Sequence, residues 1–172
     1  MERLTVADFD SVFSLMEQSF PEDEHRNYQE QRELLAEPAY RLYAKRSAEN
    51  AALQAFLAVW ELEDFAYVEH FAVDPAARNG GIGGRMLQEL KESLDRRIVL
   101  EVELPETELA RRRITFYERN GFTYNDHSYM QPPIAAGKKE IPLRLMTTEG
   151  ALDKDTFRKV QRMLYERVYH VF

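Results

Sequence analysis

The run YVEHFAVDPAARNGGIGGRML, residues 67–87, limits what this chain can fold into more than any other stretch. Up to Val73 its β-branched and aromatic residues read as a strand, and Asp74 with Pro75 ends it. From Met86 onward, Leu87, Leu90 and Leu94 recur on one helical face. Between the two lie Gly80, Gly81, Gly83 and Gly84, four of the chain's seven glycines. Glycine loses more conformational freedom on folding than any other residue, so this cluster implies that something must approach the main chain closely. A helix start rich in bare amides suits an anion, because the N–H groups and the positive end of the dipole point the same way.

Three phosphate-binding patterns can be tested on these residues. A Walker loop needs lysine and then Ser or Thr after its last glycine, but Arg85 and Met86 follow Gly84. A dinucleotide fingerprint begun at Gly81 and Gly83 would need its third glycine where Met86 stands. The pattern R-x-x-G-x-G is met by Arg78, Gly81 and Gly83 directly after a strand.

The rest of the chain supplies the frame. Phe9, Val12, Phe13, Met16 and Phe20 predict a first helix capped by Asp8, and a second covers about Gln29 to Ala36 before Pro38. YRLYAKRS and ALQAFLAVWEL form a hairpin around Ala48 to Asn50, and FAYVEHFAV at 65–73 is the next strand. After the glycines and their helix, RIVLEVEL is a strand, and a helix at about 106–119 stops at a left-handed Gly121. Strands follow at about 122–130 and 140–146. A last helix opens at about Asp153, with Phe157, Val160, Leu164, Val168 and Val171 in one stripe. This order predicts an α/β (α+β) architecture with a mixed, largely antiparallel sheet flanked by helices. It is read as a single domain over 1–172, with a core of 1–148 and an added C-terminal helix at about 153–171.

Composition excludes several chemistries. Without cysteine there is no disulfide framework, no thiol nucleophile and no Cys-based zinc site. His25, His70, His127 and His170 lack ligand spacing, so no metal is expected. A net charge of −7 argues against nucleic acid, and the Arg111–Arg113 triplet is too short to reverse that. No apolar run approaches the ~18 residues of a membrane span, so a cytoplasmic protein, monomer or homodimer, is expected.

The strand, the V-x-P break, the Arg78–Gly83 loop and, about forty residues on, RRITFYERNGF together resemble the GNAT acetyltransferase superfamily. The likeness is strongest over 65–124 and its element order is compatible to about Met146. Where that family often carries N-x-x-A-x-x-x-Y, this chain has Ala110 and Arg113 ahead of Tyr117. The resemblance implies acetyl-CoA as co-substrate, with its pyrophosphate on Arg78, Asn79, Gly80, Gly81, Ile82, Gly83 and Gly84. It further implies that backbone amides of Phe71, Ala72 and Val73 bind the pantetheine arm, and that Tyr117 gives a proton to the departing sulfur. The implied activity is direct transfer of acetyl to a primary amine of a small molecule or protein. A non-catalytic acyl-CoA-binding sensor or interaction module is the alternative.

Such a reaction must find a base, since deprotonating an alkylamine of pKa ~10.4 at pH 7 costs about 4.6 kcal/mol. Glu69 stands where some members of the family carry an acid or histidine. Glu101 is the second candidate, and alternation puts Glu103 on its face. His70 should face away from Glu69 unless a bulge intervenes. The acidic segment at 21–24 falls in a loop that borders the acceptor in this family, and would favour a cationic acceptor such as a polyamine, an aminoglycoside or a protein amine.

Overall fold

The structure, a computed structural model, describes residues 1–171. The chain folds into two compact units, Met1–Arg96 and Arg97–Phe172. In the first, strands β1 (Glu2–Arg3), β2 (Tyr40–Arg46), β3 (Leu53–Glu61) and β4 (Phe65–Val73) pair in that order, each antiparallel to the next. Helices α1 (Phe9–Ser19), α2 (Tyr28–Glu33) and α3 (Ile82–Ser93) accompany them. In the second, β5 (Arg97–Glu103) and β6 (Thr123–Gln131) both pair antiparallel with β7 (Ile141–Thr147), flanked by α4 (Glu108–Arg119) and α5 (Lys154–Arg167). This is the α/β class and the largely antiparallel strand pattern that the element order predicts.

The first unit's core follows from its sequence. β3 carries AFLAVW, Ala55–Trp60, with no polar interruption and is buried along that whole length. α1 turns Phe9, Val12 and Met16 inward, each about 1.5–3 kcal/mol when fully buried. Asp8 stands at the N-cap of α1 but does not cap it with its side chain. Its carboxylate instead accepts the Thr5 N–H at 3.1 Å, closing a 3-10 turn over Val6–Asp8. α2 ends sooner than its pattern suggests, and Leu34–Ala36 tighten into 3-10 geometry before Pro38.

In the second unit Thr107 caps α4 by accepting the Ala110 N–H, and Gly121 at φ 87° ends it as expected. β6 departs from regular register between Asn125 and Tyr129. There the buried Asn125 donates to Leu145 O and Thr147 Oγ1 and accepts from Leu152 N–H at 2.7 Å. α5 begins at an Asp153 cap, but it stops at Arg167 rather than running to about 171. Phe157, Val160, Leu164 and Val168 are buried as the stripe requires, whereas Val171 is 38% exposed and lies beyond the helix. His127 stacks on Phe157 at 4.5 Å, which seats α5 on β6. Among the described residues no helix is long and apolar enough to cross a membrane.

Candidate active site

The glycine cluster forms the entry to α3. A 3-10 turn at Pro75–Ala77 follows β4, held by Asp74 accepting the Ala76 N–H at 2.8 Å. Arg78 then runs extended with its Nε directed at Val73 O, 3.3 Å away. Asn79 at φ 67° and Gly81 at φ 73° both adopt the left-handed conformation. Gly81 is the N-cap of α3, so no side chain caps the helix, and no acidic residue stands in its first turn. The amides of Ile82, Gly83 and Gly84 are therefore helix-start donors without intrahelical acceptors. A Cβ at Gly81 would meet the Arg85 guanidinium at 3.0 Å, in a conformation that side chains rarely adopt. The residues thus form a cradle suited to an anion, and a pyrophosphate fits the chemistry of its donors.

β4 leads into that loop through a bulge. His70 pairs with Ala58 and Val68 with Val59, which leaves Glu69 as the extra residue. The bulge explains why Glu69 and His70, which strict alternation would separate, approach each other: His70 Nδ1 lies 3.5 Å from Glu69 Oε2. Two successive polar residues inside an apolar strand were the sequence signal for it. With Asp74 N–H donated to Gln54 O at 2.8 Å, the alternation of the ladder turns the Phe71 and Val73 amides away from β3 and the Ala72 amide toward it. Ala72 is therefore poorly placed for the pantetheine role expected of it.

Glu69 sits inside a polar network that sequence reading missed. Arg26, 43 residues earlier, donates to its Oε1 at 3.0 Å, and both side chains are buried. Burial works to raise the Glu69 pKa, but the Arg26 guanidinium and His70 outweigh it and hold the carboxyl at about 2. His70 donates through Nε2 to the Glu24 carbonyl at 2.7 Å, and His25 through Nδ1 to the Arg26 carbonyl at 2.8 Å. The His70 bond pins the acidic segment, a 3-10 turn at Glu22–Glu24, to the bulge, whereas the His25 bond is local. Tyr40, whose hydroxyl accepts from Gln31 at 2.8 Å, is pushed upward by burial and by the Glu69 charge.

In the second unit Glu101 and Glu103 share a face of β5 but not an environment. Glu103 pairs with Arg113 at 2.8 Å in a half-exposed ion pair. Glu101 accepts from Tyr129 at 2.6 Å and Gln131 at 2.6 Å, which reach over β7 from alternate positions of β6, and from Tyr169 at 2.9 Å. Burial of Tyr129 and the adjacent Glu101 charge raise its hydroxyl well above the usual phenol value. Tyr117 lies in the last turn of α4, where its carbonyl accepts the N–H groups of Asn120 and Phe122, both at 3.0 Å. Its ring packs edge-on against Phe116 and Phe122 at 5.3 and 5.7 Å. Burial pushes its hydroxyl up to about 12, against the opposing pull of Arg113. It is fully protonated at neutral pH.

Comparison with known proteins bears on the family and the fold. Residues 38–124 match the family profile of the GNAT acetyltransferase domain. A Bacteroides thetaiotaomicron protein assigned to the GNAT family is 37% identical, with a TM-score of 0.87 over 99% of this chain and 98% of that one. The Escherichia coli ribosomal-protein-S18-alanine N-acetyltransferase shares the fold at 19% identity and a TM-score of 0.63, over 90% of this chain and 95% of that one. Arabidopsis thaliana NAA60, solved with acetyl-CoA, does so at 14% identity and 0.64, over 85% and 95%. No curated protein matches the sequence. The profile match over half the chain, and the Bacteroides likeness over nearly all of it, place the protein in the GNAT family of acetyltransferases.

Proposed function

We propose that the protein transfers the acetyl group of acetyl-CoA to a primary amine of a small molecule or protein, by direct attack of the amine on the thioester. The observation that carries this is the uncapped start of α3, where Gly81 leaves the Ile82, Gly83 and Gly84 amides to an anion. Acetyl-CoA supplies the activated acetyl group; Arg78, Asn79, Gly80 and the amides up to Gly84 hold its pyrophosphate. Val73 offers its amide to the pantetheine arm.

The acceptor nitrogen forms the new C–N bond, the C–S bond breaks, and the nitrogen sheds a proton. Glu101 is the carboxylate assigned to receive it, directly or through water, and its charge also suits an ammonium. Glu69 is a weaker base, because a carboxyl held at about 2 gives up a proton far more readily than it keeps one. Its part is to hold the Glu22–Arg26 segment. Tyr117 is the residue assigned to the departing thiolate. With its pKa at about 12, well above the ~8.5 of a thiol, it serves better as a hydrogen-bond donor that stabilises the sulfur's charge than as an acid that yields its proton outright.

Thiol release from acetyl-CoA, measured with spermidine, an aminoglycoside and a peptide with a free α-amine, tests the reading. Release with at least one, abolished in Gly83→Asp along with CoA binding, is the expected result. Wild-type binding of CoA with no release across the panel would overturn it in favour of a sensor. Unchanged CoA affinity in Gly83→Asp would remove the loop from the site.

A further inference from the structure

The end of the chain is built around Glu101. After α5 the Val168 and Tyr169 N–H groups both donate to Leu164 O, at 3.0 and 3.1 Å, and Val171 N–H donates to Tyr165 O at 2.9 Å. His170 sits at φ 54°, a conformation a non-glycine residue keeps only when its surroundings impose it. The helix is thus folded back on itself at the one point that sends Tyr169 inward, where it is 6% exposed. Its hydroxyl lies 2.9 and 3.0 Å from the two oxygens of Glu101, 68 residues away in sequence.

Gln131 ties the pair together. Its Nε2 donates to Glu101 Oε2 at 2.6 Å and to the Tyr169 hydroxyl at 3.1 Å. A phenol has one proton to give and can accept as well, so the relay runs from amide to hydroxyl to carboxylate. Meanwhile Gln131 Oε1 is buried with no donor. The amide is oriented to serve Glu101 and Tyr169 at the expense of its own oxygen, an arrangement that costs stability. A segment needed only to cover β6 would pack as well with apolar residues at 101, 131 and 169 together.

We propose that Tyr169 is a positioning residue for acetyl transfer: it fixes the direction in which Glu101 presents its carboxylate to the acceptor amine. The helix α5 and the turn after it then belong to the acceptor side of the reaction. This rests on the assignment of Glu101 in the proposed function.

The test compares Tyr169→Phe, Glu101→Gln and the double variant with Tyr43→Phe, which deletes a hydroxyl–carboxylate bond of the same kind at Glu61, 2.7 Å long. The acceptor is whichever of spermidine, an aminoglycoside and a free α-amine peptide drives the fastest thiol release. Tyr169→Phe is expected to lower kcat/KM for that amine about tenfold with the KM for acetyl-CoA unchanged. In the Glu101→Gln background it should do nothing more, and Tyr43→Phe should keep the wild-type rate. Equal loss of acetyl-CoA and amine parameters, or an effect that persists in the Glu101→Gln background, would reduce Tyr169 to a brace and overturn the proposal. If wild type releases no thiol with any amine, the acetyl-transfer reading itself falls, an outcome distinct from an active wild type whose Tyr169→Phe variant is unaltered.

Discussion

Glu69 and Glu101 are both strand carboxylates reached by several side chains, yet the donors described at the two differ in chemistry. Around Glu69 the partners are a buried guanidinium and an imidazole. The donors that reach Glu101 from β6 and from the chain's end are two phenols and an amide, all neutral. Both kinds of donor favour the ionised carboxylate, but a cation also cancels its charge, whereas neutral donors orient the charge and leave it in place. The first arrangement builds a strut. The second builds a group that can still attract an ammonium ion, and that difference is why the acceptor role is assigned to β5.

The largest expected effect comes from breaking the strut. Arg26→Met leaves the Glu69 carboxylate buried without its countercharge, which should cost about 3–5 kcal/mol in urea unfolding. Adding Glu69→Gln should recover most of that loss. A single-variant cost under about 1 kcal/mol would mean that Glu69 is solvated after all and that the contrast with Glu101 is empty.

Acid should reveal the same asymmetry. The folded Glu69 carboxyl titrates at about 2 against an ordinary 4.5, a depressed value, so its contribution to stability is present above the unfolded pKa and is lost as pH falls toward 2. The full loss is on the order of 3 kcal/mol. Glu69→Gln should therefore flatten the dependence of unfolding free energy on pH between about 4.5 and 2. Parallel curves for variant and wild type would show that the pair does not hold the proton off.

Much of the strand, loop and helix that carry the glycines could be read along the chain, because their parts are local. A strand, a break, glycines and an amphipathic helix lie within residues 65–93, and each is set by its own residues. What escaped depends on distance. Nothing in the sequence ties Arg26 to Glu69 or Tyr169 to Glu101, since those pairs form only after strand register and helix ends are fixed. The end of α5 escaped for a related reason: Val168 and Val171 continue the apolar period, but the fold spends Val168 in the core and turns the chain back before Val171. The bulge at Glu69 sits between these cases, visible as two adjacent polar residues but located only by pairing with Ala58 and Val59.

For Glu101 the expected effect is kinetic. Glu101→Gln keeps the shape and accepts the tyrosine hydroxyls but neither takes a proton nor offers a charge. A drop of about a hundredfold in kcat/KM for the amine is expected, worth about 2.7 kcal/mol, with CoA affinity unchanged. The matching Glu69→Gln variant should lose far less activity than this. If Glu69→Gln proves the slower enzyme, the roles are reversed and the base lies on β4.

The smallest effect concerns what the strut holds. Asn27 follows Arg26 and closes a capping box at α2, accepting the Glu30 N–H at 2.9 Å while Glu30 accepts the Asn27 N–H at 3.3 Å. The segment from Glu22 is thus anchored on one side by the Glu69 ion pair and on the other by this cap. Asn27→Ala should cost about 1 kcal/mol alone. Because both anchors restrain the same few residues, their losses should not add: once Arg26→Met has released the segment, the cap has less to hold. A double variant that loses less than the sum of the singles marks Glu22–Asn27 as one cooperative piece fastened to β4. Strict additivity would confine the ion pair's influence to the strand, leaving the acidic turn to be held by His70 through the carbonyl of Glu24.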